Sequence, residues 1–318
     1  MLLFSYFNNK PILLIMDNII KFYYGINIID IFKKDNKYFF QYDNHDYCFM
    51  EYDRDKNDLK SIINICMELK RKNIITNEFV LNKFHSYITP VNLKLFVLLK
   101  ENVTAHIIGF NDILYFQNNT YNLLSNFAYN RDYISLWKRK IDFYEKKLAS
   151  TNKKNRLIDK SLDYFIGLGE NAITYLVNTD NKVDNIVVAH RRIFEDLSSF
   201  DFYNPLNYIL DNRARDLADY VIKLFFYKKV NSDIILSILS HISFNRNEYI
   251  IFLSRLLFPT YYFDLIDKIL LSNEDEEILK IVINKTDDYL LLLKRIFYYI
   301  NYNIGVNIPT IEWIIKKT

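Results

Sequence analysis

The chain has 318 residues, 50% of them hydrophobic, enough for one large domain or for two lobes with cores of their own. Its 41 Lys and Arg against 38 Asp and Glu leave a formal charge of +3, so the charge balance calls for neither nucleic acid nor an anionic membrane as a partner. The 26 Tyr and 25 Phe, beside only five Gly and five Pro, fit the codon bias of an AT-rich genome better than an aromatic binding surface.

The N-terminal run MLLFSYFNNKPILLIMDNII is apolar, but Asn8-Asn9-Lys10-Pro11 divides it into pieces too short to cross a bilayer. It has neither the basic start nor the small-residue cleavage site of a signal peptide. No membrane insertion is expected. Met16 is an alternative start, which would make residues 1–15 an N-terminal extension. Ile19–Ile31 fits an early strand or two. Lys37–Tyr42 and Tyr47–Tyr52 are β-rich runs separated by the turn-forming Asp43-Asn44-His45-Asp46, and they predict a hairpin. Asp58–Lys72 changes period: Leu59, Ile62, Ile63, Cys66 and Leu69 fall at helical spacing, with Asp58 as cap or first-turn acid. Strands over Glu78–Ile88 and Asn92–Lys100 follow, joined at Thr89-Pro90-Val91. Cys48 and Cys66 fit no metal spacing and no disulfide framework. They are expected as buried free thiols, in keeping with a reducing compartment.

Beyond about residue 104 the pattern is helical. Tyr121–Leu148 and Ser161–Val177 predict helices, with the polar break Ser150–Asn155 between them. Ala214–Lys228, Ser232–Ile242, Arg246–Phe258, Tyr262–Leu271, Asp275–Ile283 and Asp287–Tyr302 predict a succession of amphipathic helices, stopped at Pro259 and Asn273. The basic run Lys138-Arg139-Lys140, Lys146-Lys147 and Lys153-Lys154 reads as a solvated face, since Asp142 and Glu145 share the helix. Glu274–Glu277 reads as a first helical turn.

Between these regions, strand Ile186–Ala189 leads into His190-Arg191-Arg192. This segment resembles the His-Gly-Asp catalytic loop of kinase-fold phosphotransferases, with the chemistry removed. Four segments together are similar to the spore-coat kinase-like proteins of the CotS/YutH type, a branch of the aminoglycoside/choline phosphotransferase superfamily. They are Gly167–Ile173 (GLGENAI), His190-Arg191-Arg192, Asp211–Ala218 (DNRARDLA), and Trp137 with Glu145. The resemblance implies an α+β, bilobal, protein-kinase-like fold: a small antiparallel N-lobe over residues 16–103, then a mainly helical C-lobe over 104–318. It puts Arg192 at the position of the catalytic base, and a guanidinium stays protonated and cannot accept a hydroxyl proton. It puts Asn207 near the second magnesium ligand, without the anionic charge of an Asp. No glycine-rich loop is visible, and Phe49-Met50-Glu51 stands where the phosphate-pairing lysine belongs; Lys83, on a later strand, is a substitute.

The resemblance further implies that Asp216 braces the catalytic-loop backbone, and that His190 holds the loop rather than acting as a base. Asp196, Asp201 and Asp211 are capping or solvated residues or, under a second reading, a rebuilt magnesium site. Arg191, Arg192, Arg213 and Arg215 pair with Asp211, Asp216 or Glu195, or else retain an anion site. The expectation is therefore a degenerate phosphotransferase, acting by binding or assembly, with no intact catalytic set, no cofactor and no metal. The resemblance gives it other spore-coat proteins as partners and a cytoplasmic or spore-coat location. The alternative is an active, ATP- and magnesium-dependent phosphotransferase of small molecules or proteins, with displaced catalytic groups.

Overall fold

The computed structural model describes residues 2–34, 36–121, 132–149, 156–179, 185–272 and 274–316. The expected break at 150–155, the stop at Asn273, Lys153-Lys154 and positions 122–131 of the expected Tyr121–Leu148 helix lie outside the described residues. In chain order the elements begin with helix α1 (Leu2–Tyr24) and strands β1 (Ile31–Lys34), β2 (Lys37–Tyr42) and β3 (His45–Glu51). Helix α2 (Lys56–Arg71) precedes strands β4 (Glu78–Phe79), β5 (Thr89–Val91) and β6 (Lys94–Lys100). Helices α3 (Phe110–Thr120), α4 (Tyr133–Ala149) and α5 (Arg156–Val177) lead to strand β7 (Ile186–His190), short helix α6 (Ser199–Phe202) and strand β8 (Tyr208–Asn212). The remainder is helical: α7 (Ala214–Phe226), α8 (Ser232–Leu239), α9 (Arg246–Leu257), α10 (Thr260–Ser272), α11 (Lys280–Ile283), α12 (Thr286–Tyr298) and α13 (Glu312–Lys316). The chain divides into two compact units, Met1–Ile108 with Asp196–Ile209, and Gly109–Glu195 with Leu210–Thr318.

The first unit is built on an antiparallel sheet of order β1-β2-β3-β6-β4, with β5 also paired to β6. Strand β6, which pairs with β3, β4 and β5, is apolar on both faces, the pattern of a strand covered on two sides. Phe96 and Leu98 pack with Tyr38, Phe40 and Phe49 against Ile20 and Tyr24 of α1. Val97 and Leu99 pack with Tyr52, Leu206 and Leu59 of α2 on the other face. Helix α1 therefore covers the sheet, and the segment expected as an early strand or two over Ile19–Ile31 is helical as far as Tyr24, with β1 opening only at Ile31. The reason is its period: Leu13, Met16, Ile20 and Tyr24 recur at three or four residues and share one core. It ends at Gly25, whose φ of +75° is the left-handed cap that glycine adopts without strain.

The β2–β3 hairpin closes on Asp43-Asn44, both at positive φ, the mirror-image turn that matches strand twist. Tyr42 pairs with His45 and Gln41 with Asp46, so His45 and Asp46 belong to β3 rather than to the turn. Asp55 caps α2 by accepting from the Asn57 N–H at 2.8 Å, and Asp58 is the acid of its first turn. The strand expected over Glu78–Ile88 is confined to two residues, because Asn82 turns the chain there. Its Oδ1 accepts from the N–H groups of Phe84 and Ser86. Lys83 therefore lies in a loop, not on a strand. Cys48 is buried and Cys66 partly so; burial pushes the Cys66 thiol up to about 12.

In the second unit α5 packs on both α4 and α9. Aromatic stacking joins α4 and α5 to Phe258 and α10: Trp137 on Phe258 with centroids at 4.5 Å, Tyr144 on Phe263 at 4.6 Å and Phe165 on Tyr262 at 3.9 Å. Gly169 permits the α4–α5 approach, since a Cβ there would lie 3.0 Å from Ile141 Cδ1. Arg246–Leu271, which spans α9 and most of α10, is long and apolar enough to cross a membrane, but 89% of its apolar window is buried inside the protein. That is the signature of a core helix pair, broken at Pro259 as expected. Lys140 of the basic run turns inward, over the rings of Tyr144 and Phe263.

Gly169→Val should overpack this core and lower the stability by about 1–3 kcal/mol. Gly167→Ala, where an added Cβ meets nothing within 4 Å, should be neutral or stabilising by up to about 1 kcal/mol. Urea denaturation of both variants checks the pair.

Candidate functional site

Strand β7 carries His190 into the interior of the second unit, where it is fully buried. The first turn of α7 meets it there. Asp216 Oδ1 accepts the His190 backbone N–H at 3.0 Å, and Oδ2 lies 2.7 Å from Nδ1. A carboxylate only accepts, so Nδ1 carries the proton in this contact. An acid in this position also suits the partial positive charge of the helix N-terminus. Arg215, one residue earlier, donates from Nε to the His190 carbonyl at 2.7 Å and from Nη2 to the Arg191 carbonyl at 2.8 Å. Its Nη1 pairs with Asp211 Oδ2 at 2.9 Å. Asp211 is held in turn by the Tyr133 hydroxyl and by the Asn212 N–H. Asn212 Oδ1 accepts from the Ala214 N–H and opens α7.

This is a buried charge network. Burial works against the Arg215 guanidinium, but Asp211, Asp219 and Asp216 outweigh it and hold its pKa above the ordinary value. Burial likewise raises the Asp219 carboxyl, and Arg255, Arg215, Arg192 and Lys223 outweigh that, so its pKa lies below the ordinary carboxylate value. Asp219 faces Arg255 of α9 at 3.4 Å. Such groups stay charged inside a protein only when each has its counter-charge.

Arg192, which the resemblance puts at the base position, has a different environment. Its Nη1 donates to the Arg191 carbonyl at 3.0 Å and its Nη2 to Asp264 of α10 at 3.1 Å. Asp264 also receives Lys140 at 3.4 Å. The Arg192 side chain is 38% exposed, so its pairing is worth about 0–1 kcal/mol. Arg213 pairs with Glu248, which is buried in the capping box of α9. The arginine cluster is thus distributed over separate carboxylates: Arg192 to Asp264, Arg213 to Glu248 and Arg215 to Asp211.

His190, Arg192, Asp211 and Asp216 belong to the second unit, whereas Asp196, Asp201 and Asn207 belong to the first. Asp196 accepts the Ser198 N–H. Asn207 donates from Nδ2 to the Asp201 carbonyl at 3.2 Å. Asp201 pairs with Lys37 of β2, whose sequence signal is only the strand alternation that turns Lys37, Phe39 and Gln41 to one side. Magnesium requires anionic oxygens free to coordinate it. Among the described residues no group of three His, Cys, Asp or Glu side chains is gathered to hold a metal ion. Asp211, engaged by Arg215, Tyr133 and Asn212, and Asp201, engaged by Lys37, do not fit that ion.

Asp216→Ala should lower the stability by about 3 kcal/mol, because it leaves a buried N–H and imidazole unpaired, whereas Arg192→Ala should change it by less than about 1 kcal/mol. Thermal melts of the two variants test this difference. Because the Asp219 pKa is depressed in the folded state, its stabilisation is complete above the ordinary carboxylate range and is lost as the pH falls through the folded value. Asp219→Asn should therefore flatten the acid limb of the stability–pH curve, read from urea midpoints between neutral pH and about pH 3.

With this geometry the chain can be set beside known proteins. Residues 17–295 match the family described as spore coat putative kinase YutH. The endospore coat-associated protein YutH of Bacillus subtilis (strain 168) is 26% identical over 208 residues, a match that spans 57% of this chain and 60% of that protein's length. In fold, the chain is similar to an aminoglycoside phosphotransferase from Alicyclobacillus acidocaldarius, with a TM-score of 0.62, 10% identity, and coverage of 86% of this chain and 92% of that one. It is also similar to the choline kinase LicA of Streptococcus pneumoniae, with a TM-score of 0.53, 13% identity, and coverage of 88% and 99%. The antiparallel sheet with its helices, the helical second unit and these likenesses make the fold kinase-like, and the chain belongs to the spore coat putative kinase YutH family.

Proposed function

We propose that the protein is a kinase-like pseudoenzyme of the spore coat that acts by binding or assembly and transfers no phosphoryl group. The observation that carries this reading is Arg192: at the position of the base stands a cation, held to Asp264 rather than to any group that would accept a proton. The donor sets support it, since Asp211 and Asp201 are engaged by cations of the protein itself. The coat role is carried over from the name of the Bacillus subtilis relative. Other coat proteins are the partners in this reading, at the spore surface in the cytoplasm, without nucleic acid, membrane insertion, ATP or magnesium.

Calorimetric titration with ATP, with and without magnesium, tests the reading, together with a phosphate-release assay. The expected outcome is no magnesium-dependent binding and no turnover. Nucleotide binding without magnesium would fit a structural ligand. Tight magnesium-dependent binding with release of phosphate would overturn the proposal in favour of an active phosphotransferase with displaced groups.

A further inference from the structure

In the first unit, helix α2 and the chain that follows it surround a cavity of about 470 Å³, a size that holds a small organic molecule. Its wall is mostly apolar, from Ile63, Met67, Ile74, Ile75, Phe79 and Tyr87. Phe79 and Tyr87 meet edge-on at 5.9 Å, so the aromatic part of the wall is already ordered. Met67 and Ile75 are 48% and 53% exposed, which leaves apolar surface of the cavity in water. Covering such surface is favourable, and the flexible thioether of Met67 adapts to what covers it.

The charges of the lining cancel. Its two charged residues, Lys70 and Glu78, pair with each other at 2.9 Å. The Cys66 thiol, pushed up to about 12 by burial, stays protonated at neutral pH. The polar part of the wall includes Thr76 and Asn102, where Asn102 Nδ2 donates to the Thr76 carbonyl at 2.9 Å. Asn77, 1% exposed, is joined to this pair. Its Oδ1 accepts the Asn102 backbone N–H at 3.1 Å, which fixes the orientation of the carboxamide and commits Nδ2 to donate. That Nδ2 has no hydrogen-bond partner among the described residues. A buried donor without an acceptor is unfavourable.

We propose that this cavity binds a small uncharged molecule, an apolar or aromatic body bearing a carbonyl oxygen, with that oxygen at the Thr76–Asn102 end, as the acceptor for Asn77. The body covers Met67 and Ile75 and packs on the Phe79–Tyr87 pair. A charged ligand would give up its hydration for a wall whose charges already neutralise each other. A molecule without an acceptor would leave the Asn77 donor unsatisfied. The inference goes beyond the pseudoenzyme reading and does not rest on it, since none of Arg192, Asp201 and Asn207 lines this cavity. Either outcome of an ATP titration leaves it standing.

The test is calorimetric titration of the full chain with N-phenylacetamide, ethylbenzene and phenylacetate. All three carry a phenyl ring; the first adds a neutral carbonyl, the second no acceptor and the third a charge. N-phenylacetamide should bind. Ethylbenzene should bind about tenfold more weakly, for the hydrogen bond it lacks, and phenylacetate should also bind more weakly than the amide. Met67→Trp and Ile75→Trp, both at exposed positions of the wall, should fill the cavity and each weaken binding of N-phenylacetamide about tenfold or more. The proposal is overturned if N-phenylacetamide does not bind at millimolar concentration, if both Trp variants bind it as the wild type does, or if ethylbenzene or phenylacetate binds as tightly as the amide.

Discussion

The grip of the first turn of α7 on the loop after β7 is the constraint on which the second unit turns. Asp216 takes the backbone N–H and the imidazole of His190, and Arg215 takes the carbonyls of His190 and Arg191. Two adjacent side chains thus fix the backbone groups of two successive loop residues. The His190 groups are buried and the Arg191 carbonyl partly so, and a buried group left unpaired costs about 1–3 kcal/mol. The charges that do this work are balanced in turn by Asp211, Asp219 and Arg255, so the loop is tied to α7, to α9 and, through Tyr133, to α4.

This arrangement separates the shape of the loop from its chemistry. The bracing contacts engage the backbone of residues 190 and 191 and the side chain of His190; none of them uses the side chain of Arg192. That side chain is partly exposed and paired with Asp264 at a cost or gain near zero. Evolution at position 192 is therefore weakly coupled to stability, whereas Asp211, Arg215 and Asp216 are bound together by the penalty for an uncompensated buried charge. The loop can therefore keep its shape whatever side chain stands at position 192.

The first unit follows a different logic. Its stability rests on β6, which is apolar on both faces and sandwiched between α1 and α2. Polar and charged groups are kept to the side of the sheet that Lys37 and Gln41 share, where they line a cavity with the exposed rings of the same strands. Strand alternation makes such a division possible, since successive residues face opposite sides.

Much was legible in the amino-acid order. Period 3.6 over α2 and α7, the Asp43-Asn44 turn and the apolar run of β6 are local patterns that survive in any context. That Arg192 cannot serve as a base is also a matter of residue identity alone, because no environment makes a guanidinium a proton acceptor at working pH. Other outcomes belonged to the tertiary structure. The stretch over Ile19–Ile31 has short apolar runs that suit a strand or a helix, and packing against the sheet decided for α1. Glu78–Ile88 has strand-forming residues, but the side chain of Asn82 found local N–H groups and turned the chain. Which carboxylate meets which cation, Asp264 with Arg192 or Asp201 with Lys37, depends on residues tens to more than a hundred positions apart, and sequence spacing carries no signal over that distance. Periodicity and residue chemistry are properties of neighbours along the chain; charge pairing and burial are properties of neighbours in space, and only folding determines those.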